Sequence, residues 1–203
     1  MTKKNLKILD CSLRDGGYYN DWKFSKKLFS KYLTAMEFSG VDIVEIGFRF
    51  NTKNNQLGNF AYSSENFLKS ISFPKNIEFA VMVNFKDFSN DEKKQIKEIQ
   101  NLFCPKKNSK ISIVRIAVSF HEALKAKNLA KVLKNLGYEV YLNLMQSNGK
   151  SEKEFKKTCT EISKWESIKV LYFADSMGNM SPEDAIRALK IISKHWKGKI
   201  GFH

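Results

Sequence analysis

The chain is poor in cysteine and proline and has no long apolar run. Its 203 residues include 3 Cys, 3 Pro and 10 Gly. The cysteines, Cys11, Cys104 and Cys159, are odd in number and lie outside any Cys-x-x-Cys spacing. Neither a disulfide framework nor a structural zinc cluster is therefore indicated. No segment approaches the roughly 18–20 apolar residues that a transmembrane helix needs, so the sequence predicts no membrane span.

The chain also lacks a linker. No Pro-, Gly- or Ser-rich stretch interrupts it, so residues 1–203 are predicted to form a single domain. The apolar fraction of 42%, with 16 Phe, indicates a substantial core. Charged residues come early in the chain and no apolar signal region accompanies them, which makes a cytoplasmic location the default expectation.

Arginine is scarce although the chain is strongly basic. The net charge is +14, yet among 35 basic residues the arginines are Arg14, Arg49, Arg115 and Arg187. Specific readout of phosphates and bases favours the arginine fork, whereas these lysines alternate with acidic and apolar residues in helical segments. We therefore expect no specific nucleic-acid partner and interpret the charge as steering of an acidic small molecule.

Short apolar runs alternate with longer helical patterns along the whole chain. The predicted strands are Leu6–Cys11, Asp42–Gly47, Ile77–Val83, Ile111–Val118, Tyr138–Leu144, Ile168–Ala174 and Lys199–His203. The predicted helices are Ser25–Ser39, Ser64–Ser72, Asp91–Phe103, Ala123–Leu136, Glu152–Trp165 and Pro182–Trp196. This order is typical of an α/β protein with a parallel sheet.

Polar side chains distinguish a barrel from an open doubly wound sheet. They follow nearly every predicted strand, whereas an open sheet concentrates them at one switch point. No Gly-x-Gly-x-x-Gly turn follows the first strand. We predict a TIM-type (β/α)₈ barrel that is incomplete, with about seven strands and six helices.

The two ends of this pattern suggest a metal site. Asp15 follows the first strand and His203 ends the seventh. A carboxylate and a neutral imidazole presented from parallel strand ends suit a divalent cation such as Mn²⁺, Mg²⁺ or Zn²⁺. A catalytic site needs at least one further ligand from protein or solvent.

Four linked motifs resemble those of a known superfamily. They are Asp10-Cys-Ser-Leu-Arg-Asp-Gly-Gly17, Val114-Arg-Ile-Ala117, Ala174-Asp-Ser-Met-Gly-Asn-Met-Ser-Pro182 and Gly201-Phe-His203. Together they resemble the pyruvate-carboxyltransferase-like barrels, or DRE-TIM metallolyases. The greatest similarity is to 4-hydroxy-2-oxovalerate aldolase, on Leu144-Met-Gln-Ser147, Ala174-Asp-Ser176 and Met180-Ser181.

The resemblance implies roles for matching residues. Asp15 matches the metal-binding carboxylate, and His203 matches the first histidine of the family's His-x-His pair. Arg14 matches the arginine that binds a pyruvate-like substrate and stabilises its enolate oxygen. Glu45 resembles the acidic partner that orients the site, and Ser176 resembles a serine that holds the substrate carboxylate.

Two residues carry further expectations. Tyr18 stands where the aldolases have a histidine general base and the condensing synthases a glutamine. It could act as an acid/base if the metal and Arg14 lowered its pKa, or it could form an aromatic pocket wall. Arg49 lies just beyond the second strand and is predicted to grip an anionic substrate.

The sequence contains the first histidine of the His-x-His pair but neither the second histidine nor an eighth strand. We therefore expect a fragment of a longer protein. Were the chain complete, another chain would supply the missing edge or the site would be degenerate. The predicted function is a divalent-metal-dependent carbon–carbon lyase or aldolase, with Mn²⁺ the expected ion, that acts on a 2-oxo acid. The alternatives are an acetyl-CoA-dependent condensing acyltransferase and a catalytically degenerate interaction domain. A homo-oligomer is left open.

Overall fold

The computed structural model describes residues 6–203. Their strands are β1 Leu9–Asp10, β2 Ile43–Phe48, β3 Glu78–Asn84, β4 Ile113–Ser119, β5 Glu139–Met145, β6 Ile168–Phe173 and β7 Lys199–Phe202. Each strand pairs in parallel with the next, in chain order from β1 to β7. No pairing joins β7 to β1 within the described part of the chain. The curled sheet confirms the predicted incomplete (β/α)₈-type barrel.

Helices follow the strands and cover the outside of the sheet. The α-helices of residues 6–203 are α1 Ser12–Asn20, α2 Lys26–Ser39, α3 Asn59–Tyr62, α4 Glu65–Lys69, α5 Glu92–Leu102, α6 Lys127–Asn135, α7 Glu152–Ile162 and α8 Pro182–His195. All six predicted helices are present, although a 3₁₀ segment, Phe120–Ala126, forms the start of the one predicted over Ala123–Leu136. Among residues 6–203, none of the helices combines the length and apolar character needed to cross a membrane.

The core has two parts, as a parallel sheet covered by helices requires. The larger cluster packs between the sheet and the helices and includes Phe29, Val44, Ile116 and Leu133, all almost fully buried. The smaller cluster comprises Ile43, Ala80, Ile113, Tyr141 and Val170. Full burial of each large apolar side chain contributes about 1.5–3 kcal/mol, so the sheet is fixed from both faces.

A bulge interrupts β2 at Gly47. The register of β2 against β3 shifts between Glu45 and Phe48. A side chain at Gly47 would place Cβ 2.0 Å from the carbonyl oxygen of Phe60, so only glycine allows the two backbones to approach this closely. Because of the extra residue, the side chains at the end of β2 lie on the opposite faces of the sheet from those that strict alternation would give.

Helix α1 begins one residue after β1 ends, in a segment where the sequence predicted no helix. The helix ends at Asn20, and Asp21 and Trp22 both adopt left-handed conformations with φ 56°. The Trp22 side chain then folds back over the helix, and its indole N–H donates to the carbonyl oxygen of Arg14 at 3.0 Å. Because Trp22 is only 6% exposed, this contact anchors the first turn of α1.

Two adjacent glycines in α1 provide a matched test of this packing. A Cβ at Gly17 would lie 2.0 Å from the Trp22 ring, whereas a Cβ at Gly16 would meet its nearest atom, in Phe24, at 3.7 Å. We expect Gly17→Ala to lower the free energy of unfolding by about 1–3 kcal/mol through overpacking. Gly16→Ala should be neutral or stabilising by up to about 1 kcal/mol. Urea unfolding measures both, and equal effects would contradict this packing.

Candidate active site

The carboxyl ends of the parallel strands meet at one end of the barrel, which is where TIM-barrel enzymes carry their functional groups. There the structure brings together side chains that are far apart in sequence. Helix α1 provides Arg14 and Asp15, β2 provides Glu45, β4 provides Arg115 and the end of β7 provides His203. Four of the predicted site residues, Arg14, Asp15, Glu45 and His203, thus form one cluster.

A buried carboxylate links two arginines at the base of this cluster. Glu45 is fully buried, and its Oε1 accepts from Arg14 Nε at 2.6 Å. Arg115 is also fully buried, and its Nη1 lies 3.0 Å from both Glu45 oxygens. Charge-assisted pairs in such surroundings hold side chains in fixed geometry. Glu45 therefore fixes the orientation of the Arg14 guanidinium.

The charge of Arg14 is secured although its side chain is only 8% exposed. Burial alone would lower the pKa of Arg14, but the charges of Glu45 and Asp15 outweigh it and raise the pKa above its usual value. The guanidinium also lies 5.8 Å from the centre of the Phe48 ring. Arg14 is therefore a permanent, immobilised cation.

The outer edge of Arg14 faces Asp15 and His203. Arg14 Nη1 donates to Asp15 Oδ1, and Nη2 donates to Asp15 Oδ2 at 3.1 Å. Arg14 Nη2 also lies 2.7 Å from His203 Nε2. A guanidinium can only donate, so Nε2 accepts and its lone pair points into the cluster. Burial, followed by the charges of Arg115 and Arg14, lowers the pKa of His203 and favours the neutral imidazole.

Backbone contacts hold His203 in position. Its N–H donates to the carbonyl oxygen of Phe173 at 3.1 Å, and its carbonyl accepts from Asp175 N–H at 2.9 Å. The Asp175 carboxylate in turn accepts from the N–H groups of Asn179 and Met180, each at 3.0 Å. Asp175 thus organises the turn after β6 and, through its backbone, extends the β6–β7 pairing to His203.

Cys11 completes a group of three potential ligands with Asp15 and His203, the two residues that the sequence predicts as metal ligands. Its Sγ lies 3.2 Å from Asp15 Oδ2 and 3.7 Å from His203 Nε2, and the latter two atoms are 3.9 Å apart. No other cluster of three potential His, Cys, Asp or Glu ligands occurs within residues 6–203. A carboxylate oxygen, an imidazole nitrogen and a sulfur so placed fit a divalent ion.

Tyr18 lies on the exposed side of α1 next to this cluster. Its side chain is 63% exposed, and its ring makes edge contacts with Trp22 and Phe48 at centroid distances of 4.8 and 6.0 Å. Desolvation raises the pKa of Tyr18, and the nearby Arg14 charge offsets this only in part. The geometry resembles an aromatic wall more than an activated acid/base.

Arg49 does not join the cluster. It is 1% exposed, its Nη2 donates to Glu65 Oε1 at 2.6 Å, and its Nε donates to the carbonyl oxygen of Ser63 at 3.1 Å. The guanidinium also stacks over Phe103 at 4.6 Å. These contacts join β2 to α4 and α5, so the expectation that Arg49 grips substrate is corrected: its charge is buried in contacts within the chain.

Ser176 lies in the exposed loop after β6, at the same end of the barrel. Its Oγ accepts from the backbone N–H of Gln146 at 3.0 Å. That contact joins the loops after β5 and β6. The hydroxyl hydrogen remains available as a donor.

Sequence comparison finds relatives among aldolases. The chain is 24% identical over 206 residues to a 4-hydroxy-2-oxovalerate aldolase from Geobacillus genomosp. 3. The match covers 100% of this chain and 58% of that relative, so the chain spans somewhat more than half of the relative's length. No protein-family model matches.

Solved structures show the same fold. The N-terminal domain of a proposed aldolase from Bacteroides vulgatus superposes with a TM-score of 0.78 and 31% identity, covering 98% of this chain and 64% of that one. The carboxyl transferase domain of Rhizobium etli pyruvate carboxylase gives a TM-score of 0.69 with 10% identity over 100% of this chain and 36% of that one. The predicted resemblance to the pyruvate-carboxyltransferase-like barrels, and to 4-hydroxy-2-oxovalerate aldolase among them, is confirmed.

Proposed function

We propose that the chain acts as a carbon–carbon lyase that cleaves a 4-hydroxy-2-oxo acid. It resembles the pyruvate-carboxyltransferase-like barrels over its whole described length. In this reaction the bond between C3 and C4 breaks, the 4-hydroxyl proton passes to water, and an aldehyde and a pyruvate enolate form. Protonation of the enolate then gives pyruvate. The observation that carries the proposal is the immobilised cation Arg14, whose outer edge faces Asp15 and His203.

Arg14 would stabilise the enolate oxygen. Negative charge develops on that oxygen as the C3–C4 bond breaks, and a preorganised cation in a partly desolvated site stabilises such charge without reorganising. Glu45 supports this role because it holds Nε from the buried side at 2.6 Å and leaves both Nη groups directed outward. Loss of one such donor typically costs 10²–10³-fold in turnover.

Asp15 and His203 would hold a divalent ion next to Arg14, with Mn²⁺ the ion expected from the resemblance. When bound, the ion supplies Lewis-acid polarisation of the substrate oxygens. The Nε2 lone pair of His203 faces Arg14 Nη2, which donates to it at 2.7 Å, and Nε2 lies 3.9 Å from Asp15 Oδ2. An ion held by Nε2 would replace the Arg14–His203 contact, while Glu45 would still hold the guanidinium through Nε.

Ser176 would contact the substrate carboxylate from the neighbouring loop. Its hydroxyl, which accepts from a backbone N–H, is exposed and lies three residues beyond the end of β6. The overall positive charge of the chain also favours an anionic small-molecule substrate. The net charge of +14 would attract a 2-oxo acid by long-range steering.

The proposal is tested by supplying the protein with Mn²⁺ and a panel of 4-hydroxy-2-oxo acids, with pyruvate detected by coupling to lactate dehydrogenase. We expect pyruvate release that falls about 10²–10³-fold in Arg14→Lys. Arg187→Lys, at an arginine that lies on α8 and is exposed, is the matched control and should keep full activity. Release of coenzyme A from acetyl-CoA without any pyruvate release would contradict the lyase and indicate the condensing reaction.

Tyr18 is expected to act as a pocket wall, and two substitutions separate this from proton transfer. Tyr18→Phe keeps the ring contacts with Trp22 and Phe48, so turnover should change less than about threefold. Tyr18→Ala removes the wall and should raise KM, whereas loss of a general acid or base would cost a hundredfold or more in turnover. Steady-state kinetics of both variants decide the question. A hundredfold loss in Tyr18→Phe with unchanged metal content would identify Tyr18 as the proton-transfer group.

A further inference from the structure

Three donor atoms at the cluster have the spacing of a metal coordination sphere. Ligand distances of about 2.0–2.3 Å in a tetrahedral zinc site place the ligand atoms about 3.4–3.6 Å apart. The three separations among Cys11 Sγ, Asp15 Oδ2 and His203 Nε2 are 3.2, 3.7 and 3.9 Å. Each agrees with that geometry to within about 0.5 Å, so small rotations of the side chains would complete it.

Cys11 is held in this position by the barrel. Leu9, two residues earlier, packs against the inner apolar cluster, and alternate residues of a strand face the same side. Both Leu9 and Cys11 line a cavity of about 670 Å³ that also contacts Arg115 and His203. Sγ donates to Asp15 Oδ2 at 3.2 Å, so the thiol is directed at one proposed ligand rather than into the core.

Without an ion, burial raises the pKa of the Cys11 thiol to about 11, so the sulfur would lose its proton only on binding a metal. Arg14 and Arg115 carry two positive charges, and Glu45 and Asp15 carry two negative charges, so these paired groups sum to zero. A divalent ion adds two positive charges in a partly buried site. Ionisation of Cys11, with its proton released to solvent as the metal–sulfur contact forms, offsets one of them. A substrate carboxylate offsets the other.

We propose that Cys11 is a thiolate ligand of the divalent ion, together with Asp15 and His203, and that the site selects a thiophilic ion such as Zn²⁺ or Co²⁺ over Mg²⁺ and Mn²⁺. This inference rests on the proposed function, which places a divalent ion at Asp15 and His203, and it revises the expected ion. Sulfur ligands select Zn²⁺, whereas Mg²⁺ and Mn²⁺ prefer oxygen.

The test is the absorption spectrum of the protein loaded with one equivalent of Co²⁺. A thiolate ligand produces a sulfur-to-cobalt charge-transfer band in the near ultraviolet, which carboxylate and imidazole ligands do not. We expect the band in the wild type and in Cys104→Ser and Cys159→Ser. Those two thiols are matched controls, because neither belongs to a group of potential ligands in residues 6–203. Cys11→Ser should lose the band and bind Zn²⁺ about a hundredfold more weakly or worse, which exceeds the usual loss when only a ligand's supporting group is removed.

The wild-type spectrum decides the inference even if Cys11→Ser folds poorly. Binding of Co²⁺ without the charge-transfer band would overturn the thiolate ligand and leave the divalent ion at Asp15 and His203 standing. Persistence of the band in Cys11→Ser would also overturn it. Failure of Zn²⁺, Co²⁺ and Mn²⁺ to bind in calorimetric titration would overturn both the thiolate ligand and the metal-dependent function.

Discussion

Asp15→Asn should abolish lyase activity and weaken binding of the divalent ion by on the order of a hundredfold or more. This loss exceeds the one seen when only a ligand's supporting group is removed. The amide keeps the shape of the side chain but removes the anionic donor that lies 3.2 Å from Cys11 Sγ and 3.9 Å from His203 Nε2. Isothermal titration with Zn²⁺ or Mn²⁺ measures the affinity. Pyruvate release measures the activity.

The fold should survive this change. The Asp15 side chain is 48% exposed, so its substitution disturbs little packing. Asp21→Asn is the matched control, because Asp21 directly follows α1 and its side chain is 59% exposed and paired with Lys23. The control should keep full metal affinity. Unchanged affinity in Asp15→Asn would remove Asp15 from the ligand set.

Glu45→Gln should lower the free energy of unfolding by about 3–5 kcal/mol, because it leaves buried positive charge uncompensated. Glu45 is the fully buried partner of both Arg14 and Arg115. The Nε and Nη2 atoms of Arg115 already lack hydrogen-bond partners within the described residues, so nothing there can replace the lost carboxylate. Chemical denaturation monitored by tryptophan fluorescence measures the effect.

An exposed pair provides the control for this substitution. Glu161 and Lys164 form a similar contact at 2.6 Å, but their side chains are 44% and 61% exposed. Glu161→Gln should cost less than about 1 kcal/mol. A Glu45→Gln effect as small as the control would show that the Arg14–Glu45–Arg115 network does not hold the site together.

The strand pattern could be predicted from the sequence because each strand is a short apolar run between helical segments. For example, β3 was predicted over Ile77–Val83 and lies at Glu78–Asn84. Ser151 with Glu154 forms a complete capping box, Ser181 with Asp184 forms another, and each spacing is visible in the sequence. Local hydrogen bonding decides such features, so sequence spacing is sufficient.

Helix α1 could not be predicted in this way. Gly16 and Gly17 are poor helix formers, and no helix was predicted in this segment. The helix forms because Trp22 packs against Gly17 and donates to the Arg14 carbonyl. This tertiary contact outweighs the local preference. Its consequence is that Arg14 and Asp15 lie on the first turn of a helix rather than in a loop.

The prediction that Arg49 grips substrate was wrong for a related reason. Strict alternation along β2 would place Arg49 on the same face as Glu45. The bulge at Gly47 shifts the register by one residue, so that Phe48 lies beside Arg14 and Arg49 lies against Glu65 instead. A slip of one residue reverses the side of the sheet. The bulge depends on the close approach of Phe60, which sequence spacing does not reveal.

The role of Cys11 depends on the distance between chain segments that are 192 residues apart. Alternation from Leu9 indicates that Cys11 faces the barrel interior, but small cysteines on inner faces are usually core residues. Only the approach of β7 to β1 places His203 3.7 Å from Sγ. The carboxylate and the imidazole that we propose as metal ligands were recognisable from motifs, whereas the sulfur required the fold.

The most direct measurement of the central claim follows deuterium entry into the methyl group of pyruvate in D₂O by proton NMR. If the site stabilises a pyruvate enolate, the metal-loaded protein should exchange these protons far faster than buffer with the same free metal. Exchange should fall about 10²–10³-fold in Arg14→Lys and stay unchanged in Arg187→Lys. Exchange at the buffer rate by a protein shown to have bound both metal and pyruvate would contradict the enolate account.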